Sequence, residues 1–183
     1  MNSKSIKLHL GCGKRDFGKD WISIDGGDFA HLHSHDIVNL PFDDNSIDLI
    51  YCCHVVEYFD RDDVVKLLFE WNRVLKKDGI LRLAVPDFET MARLYVEGKF
   101  PLQNFLGPLY GKMKMLDKWI YHKTSYDFHD LKTVLEDSGF INIHLYDRWE
   151  TDHAQFDDHS AAYLPHMDFE NGTCISLNVE ATR

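Results

Sequence analysis

The hydrophobic residues occur in short runs separated by turn residues, and the spacing within the runs changes along the chain. Continuous or alternating apolar runs predict strands at 6–10, 21–25, 46–53, 80–85, 140–146 and 173–181. Apolar residues at helical spacing, each set ending at a glycine, predict helices over 60–79, 86–98 and 126–139. The stretch 99–126 is irregular and rich in aromatic residues.

Strands that alternate with helices predict an α/β fold, in which a mostly parallel sheet carries helices on both faces. The chain has 183 residues and no repeat or linker, so we expect one domain over 1–183. Ligands of such sheets bind beyond the carboxyl ends of the strands, where the strand order reverses. This rule directs attention to the loops at 11–18, 25–28, 36–37, 53–58 and 86–89.

Composition narrows the class of protein. The formal net charge is −10, and nucleic-acid binding rests largely on clustered Lys and Arg that neutralise phosphates, so we expect no nucleic-acid partner. No apolar run approaches the ~18 residues of a membrane span, and the first residues do not resemble a signal peptide. We therefore expect a cytoplasmic protein. The four cysteines form no CxxC pair, which favours reduced thiols over a zinc site or disulfides.

The first predicted strand leads into a glycine-rich turn, "GCGKRDFG", and the second ends at Asp25. A dinucleotide fingerprint would need a third glycine where Asp16 stands, and an acid ~20 residues further on. Asp25 follows Gly11 after only 14 residues, and Asp16 would repel a pyrophosphate. The pattern favours a nucleoside without phosphates, whose ribose diol would donate hydrogen bonds to Asp25.

Four motifs in order carry a family resemblance: "LHLGCG", "WISID", "DIVNLPFDDNSIDLIYCCHVVEYF" and "EWNRVLKKDGILRLAVPDFE". The chain resembles the class I S-adenosylmethionine-dependent methyltransferases over nearly its whole length. It is most similar to a short subgroup associated with sugar and surface-glycan gene clusters. The resemblance implies S-adenosylmethionine as cofactor. It also implies a Rossmann-like, doubly wound, mostly parallel sheet of seven strands with an antiparallel last strand.

The same resemblance implies cofactor contacts for eight residues: Gly11, Cys12 and Gly13 at the methionine and ribose, Asp25 at the ribose hydroxyls, Asp36 and Ile37 at the adenine, and Cys53 and His54 near the sulfonium. The chain departs from the family pattern at two positions. His9 replaces a common acid, and Arg15 replaces a glycine of the turn. Arg15 either reaches the cofactor carboxylate or is exposed.

Candidate acceptor chemistry rests on histidines. A hydroxyl acceptor benefits from a general base, and imidazole has a suitable pKa. We predict His122 as this base, with His153 as the second candidate, and expect 99–126 and 147–172 to cover the acceptor. The second segment also fits a surface between two copies of the chain. The "HLHSH" stretch at 31–35 lacks matching ligands, so we expect no metal.

The leading hypothesis is a methyltransferase that acts on a small polar acceptor. Loops rich in His and Asp suit a hydroxylated molecule, and the resemblance points to O-methylation of a sugar or glycan-related hydroxyl. The alternative is a non-catalytic S-adenosylmethionine-binding module that serves as a partner or sensor. A propylamine transferase, as a third hypothesis, has no support beyond the negative charge.

Overall fold

A computed structural model describes residues 5–183. Its strands are β1 (Lys7–Leu10), β2 (Trp21–Ile24), β3 (Ile47–Cys53), β4 (Leu75–Pro86), β5 (Met113–Met115), β6 (Lys118–Ile120), β7 (Ile141–Leu145), β8 (Tyr163–Leu164), β9 (Thr173–Cys174) and β10 (Ser176–Thr182). Its helices are α1 (Arg61–Val74), α2 (Phe88–Val96), α3 (Gln103–Tyr110) and α4 (Phe128–Asp137).

The main sheet confirms the predicted Rossmann-like α/β fold. Its order is β2-β1-β3-β4-β10-β7, and the last strand, β10, runs antiparallel to both of its neighbours. The sheet has six strands rather than seven. Beyond β2 there is only an isolated bridge between Ile24 and Ser34. The Asp36 carboxylate then accepts the N–H groups of Val38 and Asn39, which turns the chain away before a further strand can form.

One face of the sheet is covered by helices. Alternate residues of β1 and β3, such as Leu8 and Ile50, point to this face because strand side chains alternate in direction. They pack in one core cluster with residues of α1 and α4, including Trp71 and Leu135, which are fully buried. The predicted helical faces therefore form the main core.

The opposite face around β1 and β3 is covered by an aromatic cluster instead of a helix. The cluster consists of His9, Phe17, Trp21, Tyr51, His153 and Phe156. The Phe17 and Phe156 rings stack at 4.1 Å, and those of Tyr51 and His153 at 4.0 Å. His9, which replaces the family's usual acid, thus belongs to a packed core.

Two boundaries differ from the sequence-based prediction. The helix predicted to end at Gly79 ends at Val74, because Leu75 is buried and already pairs with Ile47 of β3. Pairing resumes between Leu49 and Ile80, so residues 76–79 bulge out of the ladder. The stretch 99–126, expected to be irregular, contains α3 and the β5–β6 hairpin.

Candidate functional site

A large cavity lies at the carboxyl ends of β1, β2 and β3, as the strand order predicts. Its volume is about 1340 Å³, which exceeds the roughly 300–1,000 Å³ of a typical small-molecule site. One wall comes from the loops that follow these strands. The other wall comes from the end of α3 and the β5–β6 hairpin. The cavity therefore has room for two small molecules side by side.

The glycine turn forms one edge of the cavity and requires glycine at its first position. Gly11 has φ +67, and a Cβ there would lie 2.1 Å from Cγ2 of Val55. Gly13 has φ +56 and open space on its Cβ side. Cys12 turns away from the cavity: its side chain is buried, and its Sγ lies 3.6 Å from Nε2 of His31. Cys12 is therefore not among the residues that line the cavity.

Asp25 organises the turns after β1 and β2. Its carboxylate accepts the N–H of Gly13 at 2.8 Å and the N–H of Gly27 at 2.7 Å. The side chain is almost fully buried but lines the cavity. Each carboxylate oxygen can accept a second hydrogen bond, so Asp25 can bind a diol while it holds both turns.

Asp36 and Ile37 line the same end of the cavity. Hydrogen bonds from the Asn39 side chain and backbone hold the pKa of Asp36 below its usual value, so this carboxylate is charged. Ile37 offers an apolar side chain, while its carbonyl accepts the Trp71 indole N–H at 2.8 Å. The pair presents an acceptor beside an apolar surface, which suits the edge and face of a base.

Cys53 and His54 follow β3 and line the middle of the cavity. His54 adopts φ 55, and its N–H donates to the Ala84 carbonyl at 2.8 Å. Its Nε2 lies 3.2 Å from Oγ of Ser176. Burial, together with the nearby His159 and His122 rings, lowers the pKa of His54 to about 3. His54 is therefore a neutral polar group at physiological pH.

Glu57 lies between His54 and His122, two of the histidines that line the cavity, and no role was predicted for it from the sequence. Its carboxyl is fully buried, and within residues 5–183 neither oxygen has a hydrogen-bond partner. Oε1 lies 3.6 Å from Nδ1 of His54 and 3.6 Å from Nε2 of His122. Burial raises the pKa of Glu57 to about 8, so the carboxyl is mostly protonated at neutral pH. The only sequence signal was its three-residue spacing from His54.

His122 lies at the acceptor side of the cavity, beside the end of α3. Its Nδ1 is 2.9 Å from the Pro108 carbonyl, which can only accept, so Nδ1 carries the proton. Nε2 is then the acceptor nitrogen and faces Glu57. Burial lowers the pKa of His122. The ring fits closely over Gly111, where a Cβ would lie 1.9 Å from Nε2.

His153, the second candidate base, does not line the cavity. It is fully buried in the aromatic cluster, and its Nδ1 lies 3.2 Å from Oγ1 of Thr151. Burial lowers its pKa to about 4. Its packing against Tyr51 gives it a structural role and removes it from the acceptor chemistry.

Arg15 lines the cavity and joins its two sides. Its Nε donates to the Asp157 carbonyl at 2.7 Å, which ties the glycine turn to the segment that carries His159.

No group of three or more His, Cys, Asp or Glu residues that could hold a metal occurs in the described part of the chain. Among residues 5–183, no helix combines the length and apolar character needed to cross a bilayer.

Part of the chain is similar to known methyltransferases. Residues 8–83 match the sequence model of a family described as a methyltransferase domain. Demethylmenaquinone methyltransferase of Staphylococcus haemolyticus is 28% identical over 159 residues, covering 78% of this chain and 63% of that protein. The same enzyme of Staphylococcus aureus strain JH9 is 31% identical over 121 residues, covering 60% and 47%. The chain thus spans less than two thirds of either relative.

Solved structures support the fold. A SAM-dependent methyltransferase from Archaeoglobus fulgidus superposes with a TM-score of 0.60 at 16% identity, covering 98% of this chain and 86% of that one. The domain match over residues 8–83 and the likeness of fold support a methyltransferase that uses S-adenosylmethionine. The cavity fits this cofactor, because open space at Gly13 and a diol acceptor at Asp25 lie along one wall.

Proposed function

We propose that the protein transfers the methyl group of S-adenosylmethionine to a hydroxyl oxygen of a small acceptor. The observation that carries this proposal is one continuous cavity, with the Asp25 turn at one end and His122 beneath the hairpin at the other. Its volume accommodates a donor and an acceptor together. Residues of 99–126, with His159 and Ala162 of 147–172, line the cavity, and these two segments would cover the acceptor.

The residues of the cofactor end would each hold one part of the donor. Asp25 would accept from the ribose hydroxyls, and Asp36 would accept from the adenine amino group beside Ile37. The backbone of Gly11, Cys12 and Gly13 would follow the methionine part toward Cys53 and His54. The bound cofactor supplies an electrophilic methyl group on a sulfonium, and the protein supplies the alignment for in-line displacement.

His122 would take the proton that the acceptor hydroxyl loses as its oxygen forms the bond to carbon. The carbonyl of Pro108 fixes the Nδ1–H tautomer, which leaves Nε2 as the basic nitrogen. Burial lowers its pKa, so this nitrogen is unprotonated at neutral pH and ready to accept. Glu57 lies 3.6 Å from both His54 and His122, and in its protonated form it adds no negative charge near the donor.

We propose a sugar or glycan-related hydroxyl as the acceptor. Lysines at 112, 114 and 123, together with His159, give the acceptor wall several hydrogen-bond donors for a hydroxylated molecule. A quinone-type acceptor is the second candidate. The apolar side chains of Met113, Met115 and Leu116 favour it, and the two curated relatives are named for such a substrate.

The test starts with the cofactor and then separates the acceptors. Calorimetric titration should show binding of S-adenosylmethionine, and methyl-labelled cofactor should transfer label to an acceptor. Two panels of acceptors are offered to the protein. One contains nucleotide sugars and glycans, and the other contains reduced quinones. Label in the sugar panel supports the first candidate, and label in the quinone panel replaces it with the second. Cofactor binding without transfer to either panel or to a cell extract would favour a non-catalytic module.

A further inference from the structure

The segment 100–123 differs in charge from the rest of the molecule. Residues 100–111 carry no charged side chain, and 112–123 carry four lysines and one aspartate. The whole chain has 20 Lys and Arg against 30 Asp and Glu, which leaves 16 basic and 29 acidic residues outside this segment. Four lysines thus lie close together in the sequence of a strongly acidic protein, and three of them, at 112, 114 and 118, belong to the hairpin region, while Lys123 pairs with Asp60.

The β5–β6 hairpin lies at the cavity wall and presents lysines on both of its faces. One face carries Met113, Ile120, Met115 and Lys118, and a Cβ on Gly26 would lie 3.4 Å from Sδ of Met115. Lys114 and Trp119 are paired on the other face. Lys112 Nζ lies 4.7 Å from the centre of the Trp119 ring. The Trp119 side chain is nevertheless 58% exposed, and Leu116 at the tip is 63% exposed.

Helix α3 extends this surface with an apolar stripe. Leu102, Leu106 and Tyr110 follow one another at four-residue spacing, so they share one face, and all three are exposed. Phe105, about a quarter of a turn around the helix from this stripe, is buried with Met91 and Leu94. The stripe is therefore not needed for the core.

We propose that α3 and the β5–β6 hairpin form a docking surface for the anionic face of a lipid bilayer. Interfacial protein segments combine exposed Leu and Trp, which enter the headgroup region, with lysines that remain at the phosphate level. Trp and Tyr favour this depth because their rings are apolar with a polar edge. The acidic remainder of the chain would be repelled by anionic lipid, so charge orients the molecule with this surface toward the bilayer.

The docked surface would place the cavity at the membrane. Gly107, Pro108 and residues 111–116 line the cavity from this side. Its mouth would therefore face the headgroup region. The inference goes beyond the proposed methyl transfer and does not depend on it, because it rests on exposed residues and charge alone.

The test uses the 183-residue chain and flotation with two kinds of vesicle. One kind is an equimolar mixture of phosphatidylcholine and phosphatidylglycerol, and the other is phosphatidylcholine alone. We expect the protein to float with the anionic vesicles, and added salt should weaken this binding because it screens exposed charges. Two double variants should each lower the partition coefficient for anionic vesicles by about tenfold or more. One combines Lys112→Glu with Lys114→Glu, and the other combines Leu116→Asp with Trp119→Ser.

Matched variants change the same chemistry elsewhere. Lys66→Glu with Lys132→Glu makes an equal change in net charge on α1 and α4, and Phe69→Ser removes an exposed ring from α1. These should float like the unaltered protein. Circular dichroism and thermal unfolding check that every variant is folded.

Three results would overturn the proposal. The first is absence of binding to anionic vesicles, and the second is equal loss in the control variants. The third is that the protein does not bind vesicles but forms a concentration-dependent dimer in light scattering without lipid, and that the hairpin variants abolish this dimer. That outcome would assign the surface to a second copy of the chain.

Discussion

Asp25 is the single residue on which cofactor binding should depend most. It holds the N–H groups of Gly13 and Gly27 and still offers lone pairs to the cavity. Asp25→Ala should weaken S-adenosylmethionine binding by about 1.5–3 kcal/mol, because hydrogen bonds to a charged acceptor are lost. Calorimetry measures this change. Asp43→Ala, which removes an exposed acid that does not line the cavity, should have little effect. Unchanged affinity in a folded Asp25→Ala protein would reject the ribose assignment.

His122 is the residue on which turnover should depend. His122→Ala should leave cofactor affinity nearly intact and lower turnover at least about tenfold, since a positioned base contributes roughly 10²–10⁴. The unaltered enzyme should lose activity only below about pH 6.5, because burial lowers the pKa of His122 and a base works unprotonated. The variant should lack this acid limb. His129→Ala, at an exposed histidine of α4, is the control, and full turnover in His122→Ala would exclude the assignment.

At the scale of elements, the end of α3 packs against the His122 side chain at Gly111. This residue ends α3 with φ +50, and its carbonyl accepts the Tyr58 hydroxyl at 2.6 Å. A Cβ there would overlap the His122 ring, whereas Gly98 after α2, with φ +68, has open space.

Gly111→Ala should therefore displace His122, and Gly98→Ala should not. Both substitutions carry the cost of a left-handed residue, about 1–2 kcal/mol. Only Gly111→Ala should lower the unfolding free energy further and reduce turnover. Denaturant unfolding with an activity assay compares the two. Equal effects would mean that the contact between Gly111 and His122 is unimportant.

For the whole molecule, buried histidines should make the fold sensitive to acid. Burial lowers the pKa of His9 to about 3, of His54 to about 3 and of His153 to about 4. The unfolded chain binds protons at these sites below about pH 6.5, while the folded chain does not. Each site should therefore remove about 1.4 kcal/mol of stability per pH unit as the pH falls from 6.5 toward its folded-state pKa.

Glu57 acts in the opposite direction. Its pKa is raised by burial to about 8, so its destabilising effect grows as the pH rises from about 4.5 to 8. Three imidazoles outweigh one carboxyl, and urea unfolding at pH 5 should give a lower free energy than at pH 6.5. His153→Gln should reduce this difference, and His166→Gln, at an exposed site, should not. A stability that is flat from pH 6.5 to 5 would contradict the burial of these rings.

The sequence by itself determined the order of the main elements and the edge of the sheet at which the cavity lies. The spacing of hydrophobic residues and the glycines that end the runs are local signals. They located β1, β2, β3, α2 and α4 within a few residues. Gly11, Asp25 and His54 were expected to lie at one edge of the sheet, because ligands bind at the carboxyl ends of strands where the strand order reverses. The structure brings seven of the eight expected cofactor residues to the cavity wall. Cys12 is the exception, because its side chain is buried.

Only the tertiary structure decided which polar residues share the cavity and which are core. His122 and His153 look alike in sequence, but one faces the cavity and the other stacks on Tyr51. Glu57 also contacts His122, which lies 65 residues further along the chain. No local sequence pattern encodes this contact. The α3–hairpin region lacks a clear period because its inner residues pack on distant loops while its outer residues are exposed. Long-range packing therefore set the acceptor side, whereas local backbone geometry had already set the cofactor side.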